Sequence, residues 1–349
     1  MKATSLKTAA VIAGTISLLA GNAMAQATTG VVGYNTWRID AGFNFVGVTL
    51  HETPVASGML ESATMAPNTV TDDDVDLGAL ILSGTYILEI EDGSGIIQEI
   101  TAAGAGTSIT TPADLSGLGF PVAYTLRPAS TVASVFGPAN ESGLAAGSFG
   151  AAGADVIKLW NGAGFDDYYY DNFAPPGFVS GGWVNLNTAT TADATALDLI
   201  YADSFVISSA SGNDVVVTGD LKSGATEINK ITGFNFVGAV APVGASLATS
   251  YGVANTGGLA AGSFGAAGAD VIWIWNGGGF DKFYYDNFAP PGFVSGGWVN
   301  LDTATAADST MILLEATPAN PLDSPASGYV IDGVAGNVVQ GVPAYYAGL

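Results

Sequence analysis

The sequence predicts an all-β protein built from repeated modules. Three observations carry this. The stretch Gly143–Leu186 returns almost verbatim as Gly258–Leu301, 115 residues further on; short runs rich in β-branched and aromatic residues are separated by Gly, Pro, Asn and Asp; and helical periodicity is almost absent. The fold expected is a series of β-sandwich or small β-barrel modules made of three related units, the last two near-duplicates. The units are placed at residues 26–120, 121–230 and 231–349, after a signal peptide at 1–25.

The leader has Lys2 and Lys7 ahead of an apolar core from Ala9 to Ala20, then Ala23-Met24-Ala25 as a small-x-small cleavage site. That core is shorter than the ~20 residues a membrane-spanning helix needs, so export with cleavage after Ala25 is expected. The exported chain would be periplasmic, on the outer surface or extracellular, with no transmembrane segment.

Removing the leader leaves six basic residues against 31 acidic ones, a net charge of −25. Such a field repels nucleic acid and anionic head groups and is tolerated in salty media, where charges are screened. There is no cysteine, so stability must come from buried cores and zinc-type sites are excluded.

Taken in order, Val31–Asn35 and the FNFVGVTL run at Phe43–Leu50 read as strands. A turn-rich segment then leads to Thr71–Asp76, the densest acidic patch. A calcium loop beginning at Asp72 would want Gly at its sixth position and Glu at its twelfth; the chain has Leu77 and Ser83 there, so a solvated acidic turn is expected. Thr85–Ile100 reads as a hairpin about Asp92-Gly93-Ser94-Gly95, with degenerate echoes from Ser204 and from Gly328. The FNFVG strand recurs at Phe234, with a fainter version at Tyr124.

Each long unit carries an aromatic insert. Asp155–Trp160 and Gly164–Asn172 read as antiparallel strands joined at Asn161-Gly162; Pro175-Pro176-Gly177 marks a loop, and Trp183–Leu186 a third strand. Alternation puts Lys158 and Trp160 on one face and Ile157 and Leu159 on the other. The Lys158 face should be wet, because burying an unpaired ammonium costs several kcal/mol. Trp273, which replaces Lys158 in the second copy, should then offer an exposed ring.

Rings beside Asp and Asn suggest sugar stacking, so Trp160, Tyr169, Tyr170, Trp183, Trp273, Trp275, Tyr284, Tyr285 and Trp298 are the candidate ligand-binding residues, with Phe178 and Phe293 nearby. The competing explanation is cross-strand packing, which aromatics favour in sheets. A glycosidase would need two carboxylates, which Asp155, Asp166, Asp171 and their repeats Asp270, Asp281 and Asp286 could supply. Their duplication points instead to Asx-turns and caps. Nucleophilic catalysis finds little support: His51 is the single histidine, and Ala146-Gly147-Ser148-Phe149-Gly150 lacks the first Gly of a nucleophile elbow. Catalytic residues, metals and cofactors are expected to be none.

The ordered set AGFNFVGVTL, TYILEI, TLRPASTVASVFGPANESGL, ADVI with YYY and GGW, GFNFVG and VPAYYAGL resembles an uncharacterised, paralogous family of secreted proteins of Verrucomicrobia and related bacteria. The resemblance spans the exported chain and implies an exported, non-enzymatic protein. The expectation is an envelope-associated or secreted structural or binding protein. Two rivals stand beside it: recognition of extracellular polysaccharide through the aromatic inserts, and a glycoside hydrolase using Asp pairs.

Overall fold

The computed structural model describes residues 32–102, 104–173, 181–242, 244–288, 296–314, 324–325 and 328–346. The expected signal peptide and its cleavage site, the Pro175-Pro176-Gly177 loop, Phe178 and Phe293 lie outside them. The fold is all-β. Among the described residues the α-helices are single turns at Leu77–Leu80, Val132–Phe136 and Leu247–Tyr251, none long and apolar enough to cross a membrane. Among the described residues no sheet closes into a barrel, and the arrangement agrees with the sandwich-like form of the expected module.

Two six-stranded antiparallel sheets have the same order. The first runs Thr190–Thr191, Gly182–Asn185, Phe165–Asp171, Val156–Trp160, Ser204–Ser209, Gly42–Gly47. The second runs Thr305–Ala306, Gly297–Asn300, Phe280–Asp286, Val271–Trp275, Gly328–Gly333, Gly233–Gly238. Each has a companion ribbon: Val32–Ile39 pairs with Asn213–Asp220 in the first repeat, and Thr226–Lys230 with Gly336–Gln340 in the second. Each also has one short helix with a capping box, Thr131 with Ser134 and Ser246 with Thr249, ending on a left-handed glycine, Gly137 or Gly252.

The duplication therefore extends well beyond the near-identical text: the two repeats share one strand order, and the first carries an additional pair of sheets as an insert. In the second repeat the chain runs from Gly238 to the helix at Leu247 directly. In the first, the stretch between Gly47 and Val132 carries a four-stranded sheet (Ala56–Leu60, Val122–Pro128, Tyr86–Ile90, Ile97–Ile100) and a three-stranded one (Ser62–Thr64, Thr69–Thr71, Ser108–Thr110). The boundaries expected at 120/121 and 230/231 are crossed by strand pairing: Gly42–Gly47 pairs with Ser204–Ser209, and Thr226–Lys230 with Gly336–Gln340. The echo between Tyr124 and FNFVG has a physical basis in pairing, because Val122–Pro128 lies against Tyr86–Ile90 as Gly42–Gly47 lies against Ser204–Ser209.

The Thr85–Ile100 hairpin is present, with Glu89 opposite Ile97. Its two expected echoes are corners instead. Ser204–Ser209 belongs to the six-stranded sheet while Asn213–Asp220 leaves it to pair with Val32–Ile39, and the Gly328 segment divides in the same way. Hairpin and corner use the same small, turn-forming residues, and only the remote partner strand separates them.

Alternation places the core side as expected at Ile157, Ile272 and Ile274, but Leu159 is only half-buried, and the opposite face is not simply wet: in the second repeat Val271 is buried there against Tyr284. Ile157 and Ile272 are fully buried in the cores of their repeats, the first with Trp37, Phe136 and Ile207, the second with Tyr251, Phe283 and Ile331. Each such side chain contributes about 1.5–3 kcal/mol by leaving water. The insert has a third core around Leu60, Leu88, Tyr124 and Leu126.

The repeats meet reciprocally. Phe45 and Phe236, equivalent residues, stack with centroids 6.2 Å apart and planes within 2°. Phe45 also touches Trp275 and Phe280 of the second repeat, and Phe236 touches Trp160 and Phe165 of the first. Such mutual exchange of contacts is the pattern of an isologous dimer interface, here within one chain. Backbone joins it too: the Gly238 amide donates to the Ala202 carbonyl at 3.1 Å, and a Cβ on Gly328 would lie 2.7 Å from the Val46 nitrogen.

Candidate functional site: aromatic rings and carboxylates

The predicted aromatic set does not form one platform. Trp183 and Trp298 are 2% and 3% exposed. Each indole N–H donates at 3.1 Å to the carbonyl of a helix-capping glycine, Gly137 or Gly252. Tyr169 and Tyr284 are buried with their hydroxyls donating to Asp171 and Asp286. Tyr170 and Tyr285 are half-buried and pack edge-on against Trp183 and Trp298 at 5.7 Å. Trp160 and Trp275 sit half-buried in the junction between repeats. A run such as Tyr168-Tyr169-Tyr170 alternates between faces of the sheet, so residues adjacent in sequence cannot share a surface.

Trp273 corrects the expectation of a freely exposed ring. It is half-buried, edged by Phe234 and Phe280, and the Lys282 ammonium lies 4.4 Å from its ring centroid. In the first repeat the same cross-strand position holds Lys158 opposite Asp167, an ion pair of 2.5 Å. The changes from Lys158 to Trp273 and from Asp167 to Lys282 are thus one event: an ion pair is exchanged for a cation–π contact between facing residues, with no ligand required.

The duplicated acids hold backbone. Asp155 accepts from the amides of Ala145 and Ala210, and Asp270 from those of Ala260 and Val334 as well as from the Lys230 ammonium. Asp166 and Asp281 hold the turn residues Asn161 and Asn276. Asp171 accepts from the Phe149 and Phe173 amides at 3.2 and 2.8 Å, and Asp286 from those of Phe264 and Phe288 at the same distances. Burial works against ionisation of Asp286, but the Phe288, Phe264 and Gly265 amides and the Tyr284 hydroxyl outweigh it and hold the carboxyl below its usual range.

What these acids anchor is the feature the sequence reading missed. Phe149 and Phe264 are each 81% exposed, and their backbones are left-handed, with φ of 61° and 64°. Phe173 and Phe288, also exposed, lie edge-on to them at 5.2 Å in both repeats. An apolar ring left in water on a backbone conformation that costs of order 1–3 kcal/mol gains nothing from its own fold. In the sequence the same residues, Ser148-Phe149-Gly150, resemble a nucleophile elbow without its first Gly, and the flanking glycines are the signal of a tight turn.

Two polar clusters complete the inventory. Glu61, which lies outside the acidic run in sequence, joins Asp72 and Asp74 so that one oxygen from each lies within 4.8 Å of the others. Asp72 is buried and already accepts from the Tyr124 hydroxyl at 2.7 Å and the Asp74 amide at 2.9 Å, while Glu61 accepts from the Asp73 amide. The patch is thus a structured turn in which Asp73, Asp74 and Asp76 face water.

Deeper, Glu89 and Arg127 of the insert meet Lys222, Tyr201 and His51 of the first repeat, all buried. Glu89 takes the Tyr201 hydroxyl at 2.7 Å, Lys222 at 3.3 Å and Arg127 at 3.2 Å. Burial works against its ionisation, but Lys222, Arg127, His51 and Tyr201 prevail and hold its carboxyl at about 2. Burial, reinforced by Arg127, drives the His51 imidazole down to about 3 and keeps it neutral. This network ties insert to repeat.

Comparison of the chain with protein-family models, curated proteins and solved structures finds no match.

Proposed function

We propose that the chain is an exported, non-catalytic binding protein of the cell envelope or its surroundings, and that it engages a neutral extracellular polysaccharide through Phe149 with Phe173 and Phe264 with Phe288. The observation that carries the reading is the exposed, left-handed phenylalanine at equivalent places in both repeats. Two like sites on one chain suit a ligand that itself repeats, since a polymer can occupy both and gain avidity without any new contact. The net charge of −25 disfavours anionic polymers. A hydrolase reading is weakened because the duplicated carboxylates are engaged with backbone amides and turn residues.

The test is retention on insoluble neutral glucan and mannan. Phe149→Gly and Phe264→Gly should each weaken retention, and the double variant should lose it. Each should also raise stability by up to about 1 kcal/mol, because glycine adopts positive φ without strain. Unchanged retention by the double variant overturns the proposal.

A further inference from the structure

Beside the stacked junction lies a cleft of about 300 Å³, walled by Trp160 of the first repeat and by Phe234 and Phe236 of the second. Its charged lining consists of Asp198 and Asp203, with no Lys, Arg or His. Asp198 accepts from the Thr85 hydroxyl at 2.5 Å. The Asp203 carboxylate accepts no hydrogen bond from any described residue. Clefts between modules with aromatic walls and a few open polar groups are the usual form of small-ligand sites.

We propose that this cleft binds a small organic cation, an alkylammonium group lying against the rings of Trp160 and Phe236 with Asp203 as its counter-charge. The balance of hydrogen-bonding groups favours a cation over a sugar. A sugar hydroxyl needs donors as well as acceptors, yet the Asn235 amide is spent on the carbonyls of Ile231, Gly233 and Ile331, and the Ser204 hydroxyl is directed at the Tyr329 carbonyl. Among the side-chain groups lining the cleft, the Asn229 amide and the Trp160 indole N–H are the donors left open. An anion meets two carboxylates and no cation. A bare metal ion would gain little from three aromatic rings and one open carboxylate, whereas an alkylammonium uses both.

The surrounding field agrees. Although Asp203 is open to water, crowding by the protein, and then Glu99, pushes its carboxyl up to about 7; Glu99 in turn is raised by burial and by Asp198. Glu99 thus crowds Asp203 and is itself crowded by Asp198, and a cation bound at Asp203 relieves that repulsion.

The experiment is calorimetric titration of the full exported chain with choline chloride and with 3,3-dimethylbutan-1-ol, which has the same shape and no charge. Choline should saturate one site, the alcohol should bind about tenfold or more weakly, and Asp203→Asn should abolish the difference while leaving the circular dichroism unchanged and the melting temperature no lower. Equal affinity for the two probes overturns the proposal, because the cleft is then merely apolar. So does choline binding that survives in Asp203→Asn, or the lack of saturable choline binding by folded wild-type protein.

Discussion

Lys158 opposite Asp167 and Trp273 opposite Lys282 solve one packing problem in two ways, and neither residue of a pair can be exchanged alone without loss. Putting Lys at 273 sets two ammonium groups face to face; putting Asp at 282 leaves it against an indole. Trp273→Lys and Lys282→Asp should therefore each destabilise the protein, while the double variant, which rebuilds the pair of the first repeat, should recover most of the loss. The coupling measured by denaturant unfolding should be about 0.5–1 kcal/mol, typical of facing residues on one sheet surface. The core face was legible at Ile157 and Ile272 because period-two alternation needs only the local sequence. The cover that Lys282 places over Trp273 was not, because it depends on cross-strand register. Phe149 escaped notice for a related reason: its neighbours Gly147 and Gly150 announce a turn, but not that a bulky residue inside it takes positive φ.

At the scale of elements, each one-turn helix is far too short to stand alone and is held at both ends by side chains. Its start is a capping box, and its end is a glycine whose carbonyl receives a tryptophan indole from a strand 46 residues later, Trp183 on Gly137 and Trp298 on Gly252. Trp183→Phe keeps the apolar ring and removes the donor, leaving the Gly137 carbonyl in a poorly hydrated place. A loss of about 1–3 kcal/mol is expected, read as a lower denaturant midpoint with an unchanged slope. The sequence displayed Trp183 and Gly137 plainly, but nothing local joined them. For the same reason the strands following Ser204 and Gly328 read as hairpins when they are corners, since the partner that draws away the second strand lies more than 100 residues off in each case.

For the whole molecule, the buried network between insert and first repeat sets the response to acid. The His51 imidazole titrates near 3 when folded and near 6.5 when free, so the unfolded chain binds the extra proton between those values and stability falls as pH drops below about 6.5. Glu89, at about 2 when folded against about 4.5 when free, adds a second loss as pH falls below about 4.5. Both act in one direction, at about 1.4 kcal/mol per pH unit for each group while it titrates. Asp203, raised to about 7 when folded, acts the opposite way over the same range, so the check is a comparison: between pH 6.5 and 4.5 urea midpoints should fall more in wild type than in His51→Gln, and an equal slope in the two proteins counts against this assignment. The all-β class and the near-duplicate pair were visible from patterning and repetition. The interruption of the first repeat by the insert was not, because Gly47 and Val132 belong to one repeat only through strands that pair at long range.

The reciprocal seating of Phe45 and Phe236 has a bearing on heredity and tolerance. Two free subunits would have to hold such a contact against dilution, whereas covalent linkage confronts each half with the other at millimolar effective concentration. A weak contact then suffices, and a damaged ring on one side loosens the seam without parting the halves. Either half could accordingly accumulate changes, including a domain threaded into one of them, that a free-standing dimer would have shed as monomers.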